Sequence, residues 1–385
     1  MRIVQRIEGF WQRVTEGIAV QELWSQFRSE ARASYSLYTR EIDWEALRRE
    51  SRGRRFRKTA SALFWALLMK LSPARRVFLL IALFFAIMAL TNSQVLISVS
   101  DSKRNIDVSP PSNFLPVLLA IAALLFLLAL ELADRVTMKR DLEIAREIQH
   151  WLVPASPPEV PGVEMAFISR PANTVGGDYY DAFLRASPGA RPDSKRLLVA
   201  VADVAGKSVP AALLMATFQA SLRTLAEANT SLPELVEGLN RYACAHSLGG
   251  SRFTTAFFAE LDPESRVLSY VRAGHNAPVL RRASGSLERL EAGDLPLGIN
   301  AEARFTCNST TMGARDLLVV FTDGLVEAVN DAEQEFGEVR VLEVVKSSDD
   351  AGAQGTLKNL LSAVDSFVGH ARQHDDLTCL LLRTS

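Results

Sequence analysis

Two apolar runs split this chain between two solvents. Residues 77–99 open with the unbroken apolar run 77–90, and residues 114–130 form a second run interrupted only by Pro116. Each approaches the ~20 residues that a helix needs to cross a bilayer. No other hydrophobic segment lies nearby to bury them as a soluble hairpin. Both begin too far from Met1 to be a cleaved signal peptide. The connection 100–113 is short and polar, and Pro110-Pro111 block a continuous helix there, which predicts an outer loop. Arg52, Arg54, Arg55, Arg57, Lys58, Lys70, Arg75 and Arg76 precede the first run, and Arg135, Lys139 and Arg140 follow the second, against Lys103 and Arg104 between them. By the positive-inside rule both termini face the cytoplasm.

The flanking segments read as helices. Residues 1–50 are rich in aromatic and charged residues without turn clusters, and stretches such as 10–27 suit amphipathic helices; their basic end is placed to rest on anionic lipid or to be a solvated pair. In residues 135–153, Met138, Leu142, Ala145, Ile148 and Leu152 recur every three or four positions, giving one apolar stripe. That stripe serves to pair with a second copy or to dock on the following domain. Pro154, Pro157, Pro158 and Pro161 then stop the helix.

Beyond them, residues 163–169, 196–202, 253–259, 267–273, 278–282, 317–322 and 377–383 read as strands, and 210–226, 232–246, 339–346 and 356–372 as helices. Strands come in consecutive groups separated by pairs of helices. This predicts an α/β sandwich of two mainly antiparallel sheets flanked by helices, preceded by an all-α N-terminal region with two transmembrane helices. Cys244, Cys307 and Cys379 are odd in number and outside any CxxC spacing, so they read as reduced core residues. With 43 basic and 44 acidic residues there is no field to attract nucleic acid.

Four acidic motifs punctuate this region: Gly176-Gly177-Asp178-Tyr179-Tyr180-Asp181, Asp203-Val204-Ala205-Gly206-Lys207, Thr322-Asp323-Gly324 and Asp375-Asp376-Leu377-Thr378. The apolar runs 197–202 and 317–321 deliver Asp203 and Asp323 to strand ends. One strand-end aspartate is usually a turn former. Four are able to converge, and converging carboxylates repel unless hard divalent cations lie between them.

At these residues the chain closely resembles the bacterial SpoIIE-type branch of the metal-dependent protein phosphatases, relatives of the type 2C enzymes. The similarity covers about residues 145–383 and includes Ala145-Arg146-Glu147-Ile148-Gln149, Leu152-Val153-Pro154, Pro210-Ala211-Ala212-Leu213, Ala273-Gly274-His275, Leu295-Pro296-Leu297-Gly298 and Phe336-Gly337 besides the acidic motifs. Ser208 departs from it, standing where relatives commonly carry glycine.

The resemblance implies a serine/threonine phosphatase holding two Mn2+ or Mg2+ ions. Asp178 and Asp203 would bridge or flank the metals, the Val204 carbonyl would be an extra ligand, and Asp323 with Asp375, or else Asp376, would complete the coordination of the second metal. Asp181 would orient water or a loop, and Glu327 would support the loop of Asp323. Oxygen ligands select such ions over zinc, and a metal pair activates a bridging water. Lys207 is a candidate for the substrate phosphate, and His275 for protonating the leaving oxygen or for pinning its own turn. The implied substrate is a phosphorylated anti-sigma-factor antagonist, and the implied location the bacterial inner membrane with the catalytic domain in the cytoplasm. A catalytically silent phosphoprotein-binding scaffold is the alternative. The expected domains are an amphipathic helical region (1–74), a transmembrane hairpin (75–134), a connecting helix able to hold a homodimer (135–154) and the phosphatase domain (155–385).

Overall fold

The computed structural model describes residues 72–91, 97–100, 105–108, 114–186, 195–228, 230–246, 252–348 and 351–385. It falls into two compact units, Met1–Val136 and Thr137–Ser385. The amphipathic helices expected within residues 1–50 lie outside the described residues.

In the first unit, α1 (Pro73–Thr91) and the apolar start of α2 (Phe114–Leu152) are long and apolar enough to cross a membrane, with mean hydropathies of 2.0 and 2.7 in their most apolar windows. Large apolar side chains such as Phe84, Leu90, Phe114 and Leu125 stay exposed along them. Arg75 pairs with Glu131 at 3.3 Å and Asp134 at 2.5 Å, and the rings of Phe78 and Phe126 lie 5.0 Å apart. The first helix stops short of the 99 expected. The hydroxyl of Thr91 turns back onto the carbonyls of Ile87 and Met88, and β1 (Ile97–Ser100) pairs antiparallel with β2 (Asn105–Val108) where a polar loop was anticipated.

α2 is a single helix of 39 residues that includes the connecting segment. Its stripe divides. Leu142, Ala145, Gln149 and Leu152 are half-buried on one face, whereas Met138, Ile144, Ile148 and Trp151 remain exposed.

The second unit is built on the two-residue period of its strands: β3 (Val163–Arg170), β4 (Tyr179–Arg185) and β5 (Arg196–Val204), then, after α3 (Ser208–Ala226) and α4 (Leu232–Ala245), β6 (Thr254–Leu261), β7 (Val267–Ala273), β8 (Val279–Arg281), β9 (Leu287–Arg289), β10 (Asn308–Thr311) and β11 (Leu317–Phe321). α5 (Asp323–Val326), α6 (Glu338–Ser347), α7 (Gly352–Val368) and β12 (Leu377–Thr384) complete it. Two five-stranded sheets, ordered β10-β7-β6-β5-β4 and β3-β12-β11-β8-β9, pair antiparallel throughout.

In β5, Leu197, Val199 and Val201 face the opposite sheet, where they meet Leu318, Val320, Leu380 and Leu382. Leu198, Ala200, Ala202 and Val204 face α3 and α4 with Met215, Leu222 and Leu235. Leu317, Val319, Cys379 and Leu381 face α6 and α7 on the outer side of the second sheet. Four layers result, with the central strands buried on both faces, which is why they read as continuous apolar runs. None of the three cysteines forms a disulfide, and of the expected core positions only Cys379 is buried: Cys244 is half-buried, and Cys307 is exposed because it precedes the short edge strand β10.

Candidate metal centre

The strand period carries the acidic motifs to one end of the space between the sheets. Asp178 has the parity of Tyr180, Asp203 that of Val201, Thr322 that of Val320, and Asp376 that of Leu380, and those four partners all line the inter-sheet core. Registers Tyr179↔Ala202 and Phe321↔Cys379 bring the relevant strand ends to the same side.

Three glycines let these segments close in. A Cβ on Gly176 would stand 2.4 Å from Asp376 Oδ2, one on Gly177 2.8 Å from the Val204 carbonyl oxygen, and one on Gly324 2.0 Å from the Asp376 carbonyl oxygen. A larger residue would displace the Asp376 carboxylate at Gly176 and backbone at Gly177 and Gly324.

The carboxylates feel one another. Burial, then Asp203 and Asp376, hold the Asp178 carboxyl well above its usual range. Burial raises Asp203 to about 7, with Asp323, Asp375 and Asp376 adding to it and Lys207 opposing. Asp323 is likewise raised by burial and by Asp375. Thr322, fully buried, donates its hydroxyl to Asp178 Oδ2 at 2.8 Å and accepts the Thr378 N–H at 2.9 Å. It ties the second sheet to the Asp178 loop, a role that its sequence neighbours do not reveal.

Asp375 and Asp376 differ sharply. Both oxygens of Asp376 accept backbone N–H groups at 2.7 Å, Oδ1 from Ala172 and Oδ2 from Gly177. Asp375 is more open, and its Oδ2 meets the Lys207 ammonium at 2.9 Å. Lys207 also donates to the His374 carbonyl. As placed, no three Asp, Glu, His or Cys side chains among the described residues enclose a single ion. The donor set nonetheless suits hard cations: it is oxygen-only, its members raise one another's pKa, and an ammonium already sits on one of them.

His275 is buried, with Nδ1 3.2 Å from the Thr255 hydroxyl. Burial lowers its pKa to about 4, so it is neutral near pH 7 and holds no charge for a phosphate. Glu327 supports the Asp323 turn through its backbone, its N–H donating to the Asp323 carbonyl at 2.8 Å.

Asp181, expected to orient water or a loop, faces the other way. Its odd parity on β4 turns it toward α3, where Arg223 grips both oxygens at 2.7 and 2.6 Å and the Tyr179 hydroxyl donates to it. Ser208, at the start of α3, has a φ of 62°, in the left-handed region that favours glycine. Ser208→Gly is expected to stabilise the chain by about 1 kcal/mol, because the strain that it relieves slightly exceeds the added freedom of the unfolded chain. Thermal unfolding checks this, with Ser208→Val shifting the midpoint the opposite way.

Known proteins resemble this chain in sequence and fold. The chain is 28% identical over 248 residues to the phosphoserine phosphatase RsbU of Bacillus subtilis, covering 64% of this chain and 70% of RsbU. It is 26% identical over 285 residues to IcfG of Synechocystis, covering 66% of this chain but only 43% of IcfG. The SiaA-PP2C domain of Pseudomonas aeruginosa superposes with a TM-score of 0.55 at 20% identity, over 66% of this chain and 99% of that domain, which shows a common fold. The family described as Stage II sporulation protein E (SpoIIE) matches residues 193–385, a stretch that contains Asp203, Asp323 and Asp375 and follows Asp178. Half of the sequence therefore carries the family's pattern on the family's fold, and the chain belongs to the SpoIIE family.

Proposed function

We propose that this chain is a membrane-anchored, metal-dependent protein serine/threonine phosphatase. The observation that carries the reading is the set of carboxylates gathered at one end of the sandwich, whose burial and mutual repulsion raise their pKa values. Asp178, Asp203, the Val204 carbonyl, Asp323 and Asp375 would hold two Mn2+ or Mg2+ ions, and Asp376 would bracket the Gly176-Gly177 turn. Such ions, when bound, offset phosphate charge and supply an activated water near neutral pH.

The protein's own part is positional. Thr322 fixes the Asp178 carboxylate. Lys207 stands beside Asp375, within reach of an incoming phosphate once that carboxylate turns to a cation. His275 braces its turn from inside.

The proposed substrate is a phosphoserine or phosphothreonine of a signalling protein, of the anti-sigma-factor-antagonist class that the family resemblance implies. α1 and the start of α2 anchor the chain in the bacterial inner membrane with both ends in the cytoplasm, and Ile144, Ile148 and Trp151 offer a face for a homodimer.

Full-length chain in detergent is expected to release phosphate from a phosphoprotein with Mn2+ and to stop in EDTA. Tight phosphoprotein binding with no turnover would favour the silent scaffold instead. The same material gives a pH test. Because Asp203 is raised from about 4 to about 7 on folding, its stabilising contribution is full below pH ~4 and is lost as pH rises toward 7. In EDTA the melting temperature should therefore fall between pH 5 and 8. Mn2+, which displaces those protons, should raise it more at pH 8 than at pH 5.5. A Mn2+ shift that is larger at the acid end would contradict carboxylate ligation.

A further inference from the structure

The Gly176-Gly177-Asp178 turn is gripped from two sides by side chains outside it. On one side Asp376 accepts the N–H groups of Ala172 and Gly177. On the other, Gln149, near the C-terminal end of α2, donates Nε2–H to the Gly176 carbonyl at 2.7 Å and accepts the Gly176 N–H on Oε1 at 3.2 Å. One side-chain amide thus satisfies both backbone polar groups of Gly176, as a neighbouring strand would.

The surroundings make this contact count. A groove of about 730 Å³ runs beneath the end of α2 and has Gly176, Asp178 and Asp376 among its walls. The helix is therefore not packed flush onto the turn. The turn itself has no side chain before Asp178 with which to anchor, because Gly176 and Gly177 must stay bare to admit Asp376 and the Val204 carbonyl. What holds Asp178 in place must come from outside the turn.

We infer that Gln149 is a positioning residue, which sets the affinity of the site for divalent cations by holding Gly176, and through it Asp178, in ligating position. The inference rests on the metal reading above. It assigns the link between helix and site to one side chain: when α2 shifts along or about its axis, Gln149 leaves Gly176 and the first carboxylate loosens.

The test uses Gln149→Met in the full-length chain, which keeps length and volume while removing donor and acceptor. Two part-buried hydrogen bonds at about 1 kcal/mol each, partly replaced by water in the groove, correspond to roughly tenfold weaker Mn2+ binding by calorimetry. At saturating Mn2+, kcat should return to within about threefold of wild type, a recovery that general unfolding would not allow. Hydrogen exchange without metal should show faster exchange at residues 172–178 and little change in β5 and β11. Unchanged Mn2+ affinity in Gln149→Met, beside a wild type that binds Mn2+, overturns the inference. A wild type that binds no Mn2+ overturns the metal reading instead, and unaltered exchange at Gly176 overturns the clamp whatever the metal does.

Discussion

Asp323→Asn is expected to lower Mn2+-dependent phosphate release by roughly 10³-fold, equivalent to about 4 kcal/mol of transition-state stabilisation. Asparagine keeps the size of aspartate and one neutral oxygen, so the packing around α5 survives while one negative charge is lost. The same substitution should raise the melting temperature in EDTA. Burial and then Asp375 raise the Asp323 carboxyl above its usual range, and its charge in turn raises that of Asp203. Removing it relieves repulsion that the folded chain endures without cations. Activity and metal-free stability should therefore move in opposite directions, as is usual where a site holds strain for function. Turnover within about threefold of wild type at saturating Mn2+ would sink the assignment. A lower melting temperature in EDTA would show that Asp323 serves the fold instead.

Arg223→Met should produce the largest loss of stability. Asp181 is wholly buried, and Arg223 is the cation paired with it among the described residues, while also stacking 4.0 Å over the Phe183 ring. Methionine keeps much of the apolar stem but leaves Asp181 with the Tyr179 hydroxyl and the Ala182 N–H. Breaking a buried pair costs about 3–5 kcal/mol, and the 41% exposure of the Arg223 side chain moves the expectation to about 2–3 kcal/mol. For a unit of this size that lowers the melting temperature by roughly 5–10 °C. Adding Asp181→Asn to Arg223→Met should recover part of the loss, because no charge is then stranded. A double variant no better than the single one would mean that the loss comes from Phe183 packing.

The elements best read from the chain were those with unambiguous burial. β5 and β11 are apolar on both faces, so these strands and the aspartates at their ends stand out in the sequence, although β5 runs two residues past the expected 202 and takes in Asp203. β4 was missed because Asp181 and Arg185 interrupt it, although both side chains are buried by distant partners. β9 and β10 escaped because three or four partly exposed residues carry little pattern. Gln149 and Thr322 lay inside recognised motifs without a role, since their partners Gly176 and Asp178 are 27 and 144 residues away.

Composition, periodicity and the spacing of acidic turns determined by themselves that this chain has a membrane-compatible hairpin, a layered α/β domain and an acidic site at its strand ends. Those are properties of local pattern, because burial repeats with the period of the element that carries it. Tertiary structure alone decided what each aspartate touches. Parity turns Asp203 toward the space between the sheets and Asp181 toward α3, and backbone amides occupy both oxygens of Asp376 while Asp375 stays open to Lys207. Such distinctions depend on which groups from remote segments reach a carboxylate first, and that is settled only when the sheets close.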